Sequence, residues 1–127
     1  MSKVFAFCLL ATFLIGCSSP ASFKAAGVHT GKKYDLEVKM GKETFNPTLL
    51  VYVNGNQAMM IKRSNKFKDP NCAKSAVSSW VCTYSTSYDG KILKVVEEAN
   101  ATLASNSLYY DFYLDNDYVQ RVVAAMY

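Results

Sequence analysis

Histidine, cysteine and paired carboxylates are the residue types here that suit catalysis, and their spacing decides what they can do. The 127-residue chain holds one histidine, His29, and four cysteines. A serine or cysteine nucleophile needs a base beside it. His29 lies in a small, polar stretch, far along the chain from Cys72 and Cys82. Glu97-Glu98 is an adjacent carboxylate pair, but neighbours on a strand point to opposite faces, so this spacing makes no acid–base dyad. Asp111, Asp115 and Asp117 do not follow a calcium loop, whose ligand series ends in Glu, and Asp115 and Asp117 suit a turn. The sequence contains no Gly-rich phosphate loop, no His-Glu-x-x-His and no nucleophile elbow. The expectation is a protein that is not an enzyme, with no catalytic residue, metal or cofactor.

Cys72 and Cys82 are an even pair, and in an exported chain such a pair reads as one disulfide. Zinc would want more ligands than these. Around Cys72 stand Lys62, Arg63, Lys66, Lys68 and Lys74, opposed only by Asp69. This basic segment is the candidate binding surface, for anionic headgroups or an acidic envelope protein. The alternative is a solvated loop whose lysines serve solubility. A second feature is aromatic. Alternation sends Tyr110 and Phe112 to one face and Tyr109 and Tyr113 to the other. One face must be core; the other either offers tyrosines to a partner or merely uses Tyr as a good strand residue. Aromatics interleaved with bases can also bind nucleic acid, but export argues against that partner.

Export itself is read from the start of the chain. Lys3 precedes the apolar run Val4–Ile15, whose length of about twelve residues suits a signal peptide and falls short of the roughly twenty needed to span a membrane. The run ends in Leu14-Ile15-Gly16-Cys17. This resembles the lipobox of bacterial lipoproteins: an aliphatic residue, a variable one, a small one, then cysteine. The resemblance covers only the first twenty residues or so. It implies removal of residues 1–16, lipid on Cys17 and a permanent membrane attachment, since two or more acyl chains hold a protein stably. Ser18 in place of Asp resembles the enterobacterial pattern for the outer membrane.

These features require elements to carry them. Residues 17–33 are small, polar and unpatterned, and read as a flexible tether. Residues 34–127 read as a single β-domain. Tyr34–Met40 alternates apolar and charged residues, the period of a half-buried strand. Thr48–Val53 and Gln57–Lys62 flank Asn54-Gly55, the strongest short hairpin signal. A two-residue turn there sets Val51 opposite Ala58 and Leu50 opposite Met59. Residues 63–76 read as a loop pinned by the disulfide. Ser79–Ser85 and Lys91–Val96 follow, then a loop or helical turn over 97–107. Leu108–Leu114 and Asp117–Val123 complete the set. Val51–Asn56 also aligns with Phe112–Asp117, which reflects either an internal duplication or shared strand preferences.

The predicted fold is therefore all-β, a small antiparallel β-sandwich or barrel of about seven strands after an N-terminal signal peptide. The function expected is a non-catalytic binding or accessory module, lipid-anchored in the cell envelope. The rival expectation is a β-barrel inhibitor of a secreted hydrolase such as lysozyme, acting through the 63–76 loop.

Overall fold

Alternation gives each strand one apolar face, and the computed structural model shows what those faces meet. It describes residues 21–41, 48–62, 69–76, 79–101 and 106–126. Among them are nine strands and no helix: β1 (Ala21–His29), β2 (Lys32–Met40), β3 (Leu49–Val53), β4 (Asn56–Ile61), β5 (Cys72–Ala76), β6 (Ser79–Tyr88), β7 (Lys91–Ala101), β8 (Asn106–Leu114) and β9 (Asp117–Met126). They form two antiparallel sheets, ordered β1-β2-β3-β4 and β5-β6-β7-β8-β9. Each strand pairs with its neighbour in sequence, so both sheets are meanders.

The two sheets share one core in a sandwich-like arrangement. Tyr34, Leu36, Val38, Leu49, Val51 and Val53 come from the first sheet. Tyr84, Leu93, Val95, Tyr110, Phe112, Leu114 and Val122 come from the second. The Tyr88 hydroxyl ties the sheets together by donating to the Val53 carbonyl at 3.4 Å. Burying such side chains is the main force that closes the fold, at about 1.5–3 kcal/mol for each large apolar one.

Four hairpins turn on two residues with positive φ: Thr30-Gly31, Asn54-Gly55, Asp89-Gly90 and Asp115-Asn116. Positive φ at both positions matches the right-handed twist of the flanking strands. All four turns lie at one end of the domain. His29 reaches Asp117 at 3.1 Å, and Lys32 reaches Asp89 at 3.8 Å. Two turns are also tied to a third strand in the same way. Asp35 N donates to Asn54 Oδ1 at 2.8 Å, and Ile92 N donates to Asp115 Oδ1 at 2.9 Å. The opposite strand ends hold Ala21, Met40, Leu49 and Ile61 in one row. In the second sheet they hold Ala76, Ser79, Asn100, Ser107 and Met126.

The all-β expectation holds, with nine strands in place of about seven. Residues 21–33 are not a tether: they form β1, the turn Thr30-Gly31 and the first two residues of β2. The inward positions of β1 are Phe23, Ala25, Gly27 and His29, of which two are small and one is polar, so the alternation carries little hydrophobic contrast. β1 packs closely along β9. A Cβ on Gly27 would lie 2.7 Å from Val119 Cγ1 and 2.8 Å from the Val119 carbonyl. Gly27→Ala should therefore cost about 1–3 kcal/mol, the usual range for overpacking. A lower urea midpoint checks this; an unchanged midpoint would show that β1 is not lodged there.

Three further expectations shift. Cys72–Ala76 is a strand, not part of a loop, because Cys72 stands directly opposite Cys82 in the β5–β6 register. Residues 97–101 extend β7 and 106–107 open β8, where a loop or helical turn was expected over 97–107. In the β3–β4 hairpin, Val51 faces Met59 and Leu50 faces Met60, because a bulge beside Tyr52 inserts one residue.

Candidate interaction surface

Cys72 and Cys82 form the expected disulfide, with Cα atoms 4.0 Å apart. It staples the short edge strand β5 to β6. Of the basic candidates, Lys62 and Lys74 are exposed. Arg63, Lys66 and Lys68 lie outside the described residues, as does the lipidation candidate Cys17. No ligand arrangement for a metal occurs among the described residues.

The candidate carboxylates separate as strand geometry demands. Glu97 points inward and is 1% exposed; its Oε2 accepts from the Tyr110 hydroxyl at 2.5 Å. Glu98 points outward and accepts from the Tyr109 hydroxyl. That bond raises the Tyr109 pKa first, with burial and the carboxylate's charge adding to it, so the phenol stays a proton donor. Asp111 is committed to Arg121, which grips it through Nε at 2.8 Å and Nη2 at 3.1 Å. This pairing pushes the Arg121 pKa further up and leaves the guanidinium charged. Asp117 bonds His29, and Asp115 braces its turn. These groups hold the fold.

The outer face of the second sheet carries organised chemistry. Register aligns Glu98 with Tyr109, Val96 with Asp111, and Lys94 with Tyr113. On these lie cations: Arg121 sits 3.8 Å from the Tyr109 ring centre and Lys94 sits 4.7 Å from that of Tyr113. Tyr118 meets Tyr113 edge-on, with ring centres 5.7 Å apart. Side chains gripped this way lose little further rotamer freedom when a partner arrives. Tyrosine and arginine also dominate interface energetics.

Among the described residues four large apolar side chains are more than half exposed. Met60 lies near the strand ends away from the turns; the other three are Val28, Ile92 and Tyr118. Each of these three stands two residues from a turn, beside Thr30, Gly90 and Asn116 respectively. The turn end of the domain therefore bears an apolar rim that joins the Tyr113–Tyr118 pair. Below the rim, Lys91 Nζ donates to the Tyr34 hydroxyl at 3.2 Å, a bond that raises the lysine's pKa.

Sequence reasoning identified the tyrosine face by alternation. It missed the role of Arg121, whose only local signal is a cation in an apolar strand, and missed the apolar rim, which needs the turns to be gathered at one end. No family model, no curated protein and no solved structure matches the chain.

Proposed function

We propose that this chain is a lipid-anchored envelope protein that works by binding, without catalysis, and that it meets a protein partner with the turn end and the adjoining tyrosine face. One observation carries the reading. Val28, Ile92 and Tyr118 expose apolar surface at the end of the domain opposite Ala21, where the chain leads back to Cys17. Exposed apolar side chains gathered in one region mark interaction sites. A surface facing away from the membrane is also the one a partner reaches. The lipobox supplies the anchor, and Ser18 supports the outer membrane as its address.

A photoreactive amino acid at Ile92, introduced in the bacterium that makes the protein, should give one discrete crosslinked product. The same group at Lys24, on the outer face of the first sheet, should give none. Tyr118→Ala should weaken the complex by about 2 kcal/mol, roughly thirtyfold in affinity, if Tyr118 is a central anchor. Equal products from both positions, or none from Ile92, would refute the surface. Stoichiometric inhibition of lysozyme by the purified chain would favour the hydrolase-inhibitor reading instead.

A further inference from the structure

The two ends of the domain differ in charge as well as in loops. Near the ends opposite the turns, Lys39, Lys62 and Lys74 stand against Glu98, which is bonded to Tyr109, with Asp69 on the segment leading into β5. At the turn end, Lys32, Lys33 and Lys91 face Asp35, Asp89, Asp115 and Asp117. Polarity follows the same axis. Trp80, the only tryptophan of the chain, is half-buried on the same face of β6 as Cys82 and Tyr84 and pairs with Lys74 and Ala99 near the ends opposite the turns. Met60, 55% exposed, lies one residue from the end of β4.

From this polarity we infer a second contact surface: the strand ends carrying Met60, Lys62, Lys74 and Trp80 rest on the anionic headgroups of the membrane that holds the anchor, and the domain stands with its turns outward. The inference rests on the lipoprotein reading of Cys17. Chain length supports it. Ala21 begins β1 at this end, and the four residues from Cys17 to Ala21 reach at most about 14 Å when fully extended. A lipid on Cys17 therefore keeps this end of the domain next to the membrane, where its lysines can come within the single Debye length over which anionic headgroups attract them. Tryptophan and lysine are the side chains that suit this zone, the ring at headgroup level and the ammonium on phosphate. Met60 adds apolar surface that can enter the acyl boundary. The turn end carries three lysines against four aspartates, so the same surface draws the lysine-bearing strand ends more strongly, which sets the direction in which the domain stands.

Trp80 is its own reporter. The purified full-length lipoprotein is reconstituted into phosphatidylglycerol-containing vesicles with and without lipids brominated near the headgroup. Trp80 emission should fall strongly with the brominated lipid. A Trp80→Phe chain carrying Ser87→Trp, at the turn end, should keep its emission. A version beginning at residue 18, which lacks the anchor but retains every described strand, tests the charge. Its partitioning onto the same vesicles at low salt should fall about fivefold for each of Lys62→Gln and Lys74→Gln. Equal quenching at both tryptophans, or partitioning indifferent to both lysines, overturns the orientation while leaving the anchor intact. A mass spectrum showing no lipid on Cys17 overturns the anchor and the orientation together.

Discussion

Cys17→Ala is expected to abolish fatty-acid labelling of the chain and to leave a larger species that keeps residues 1–16. The lipobox reading makes the thiol the acceptor of a diacylglyceryl group, joined through a thioether, and places cleavage immediately before it. Without the thiol neither step has its substrate. The energetic consequence is large. Each buried methylene contributes about 0.8 kcal/mol, so two or more acyl chains hold the protein stably on the membrane, whereas a single chain holds it only marginally. The lysines at the strand ends contribute about 1 kcal/mol each near an anionic surface and are weakened by salt. A chain beginning at residue 18 should consequently be extracted from membranes by salt, while the wild type should resist salt and require detergent. Label retained by Cys17→Ala at unchanged size would sink the lipoprotein reading. Loss of label with unchanged folding would locate the effect in the anchor alone, since Ala21 is the first residue of β1.

What could be read from the residues depended on how much hydrophobic contrast each strand carries. Tyr34–Met40 sets charged against large apolar residues, and β2 was legible at once. Asn54-Gly55 announced its hairpin because few other pairs accept positive φ twice in succession. β1 was illegible for the opposite reason. Its inward Gly27 is small because β9 leaves no room for more, a constraint that comes from a strand about ninety residues later. The end of β7 was hidden by Glu97. A carboxylate normally signals solvent, and here it is buried against a tyrosine on the next strand. The disulfide followed from counting, but its direct cross-strand register did not. Alternation also gave the tyrosine face. Arg121 joined that face only through its pairing opposite Asp111, which no spacing along the chain encodes.

Tyr110→Ala is expected to cause the largest loss of stability of any single core change considered, and a short series of variants shows why. The Tyr110 ring is fully buried between the sheets. Truncating a buried aromatic costs about 3–5 kcal/mol through lost transfer free energy and the cavity left behind. Tyr110 also holds Glu97, which is itself buried, through its hydroxyl at 2.5 Å. Removing that donor alone, in Tyr110→Phe, keeps the ring and should cost about 1–3 kcal/mol, the penalty for taking a partner from a buried polar group. Against a total stability of roughly 5–15 kcal/mol, the alanine variant should be largely unfolded under mild denaturant, where the phenylalanine variant is merely weakened. The pair does not have to be stabilising relative to an apolar one. Replacing both partners together often costs less than breaking the bond from one side. Glu97→Leu combined with Tyr110→Phe should therefore recover stability relative to Tyr110→Phe alone. Urea unfolding of the wild type, Tyr110→Ala, Tyr110→Phe, Glu97→Leu and the double variant reads the series directly. If the double variant is less stable than Tyr110→Phe by the full cost of Glu97→Leu, the two residues are not coupled, and Glu97 is held by its other neighbours. If it recovers, the carboxylate in the core is maintained at a cost that an apolar residue would avoid. Its position in β7 is then set by its bond to β8, the strand that also carries the tyrosine face.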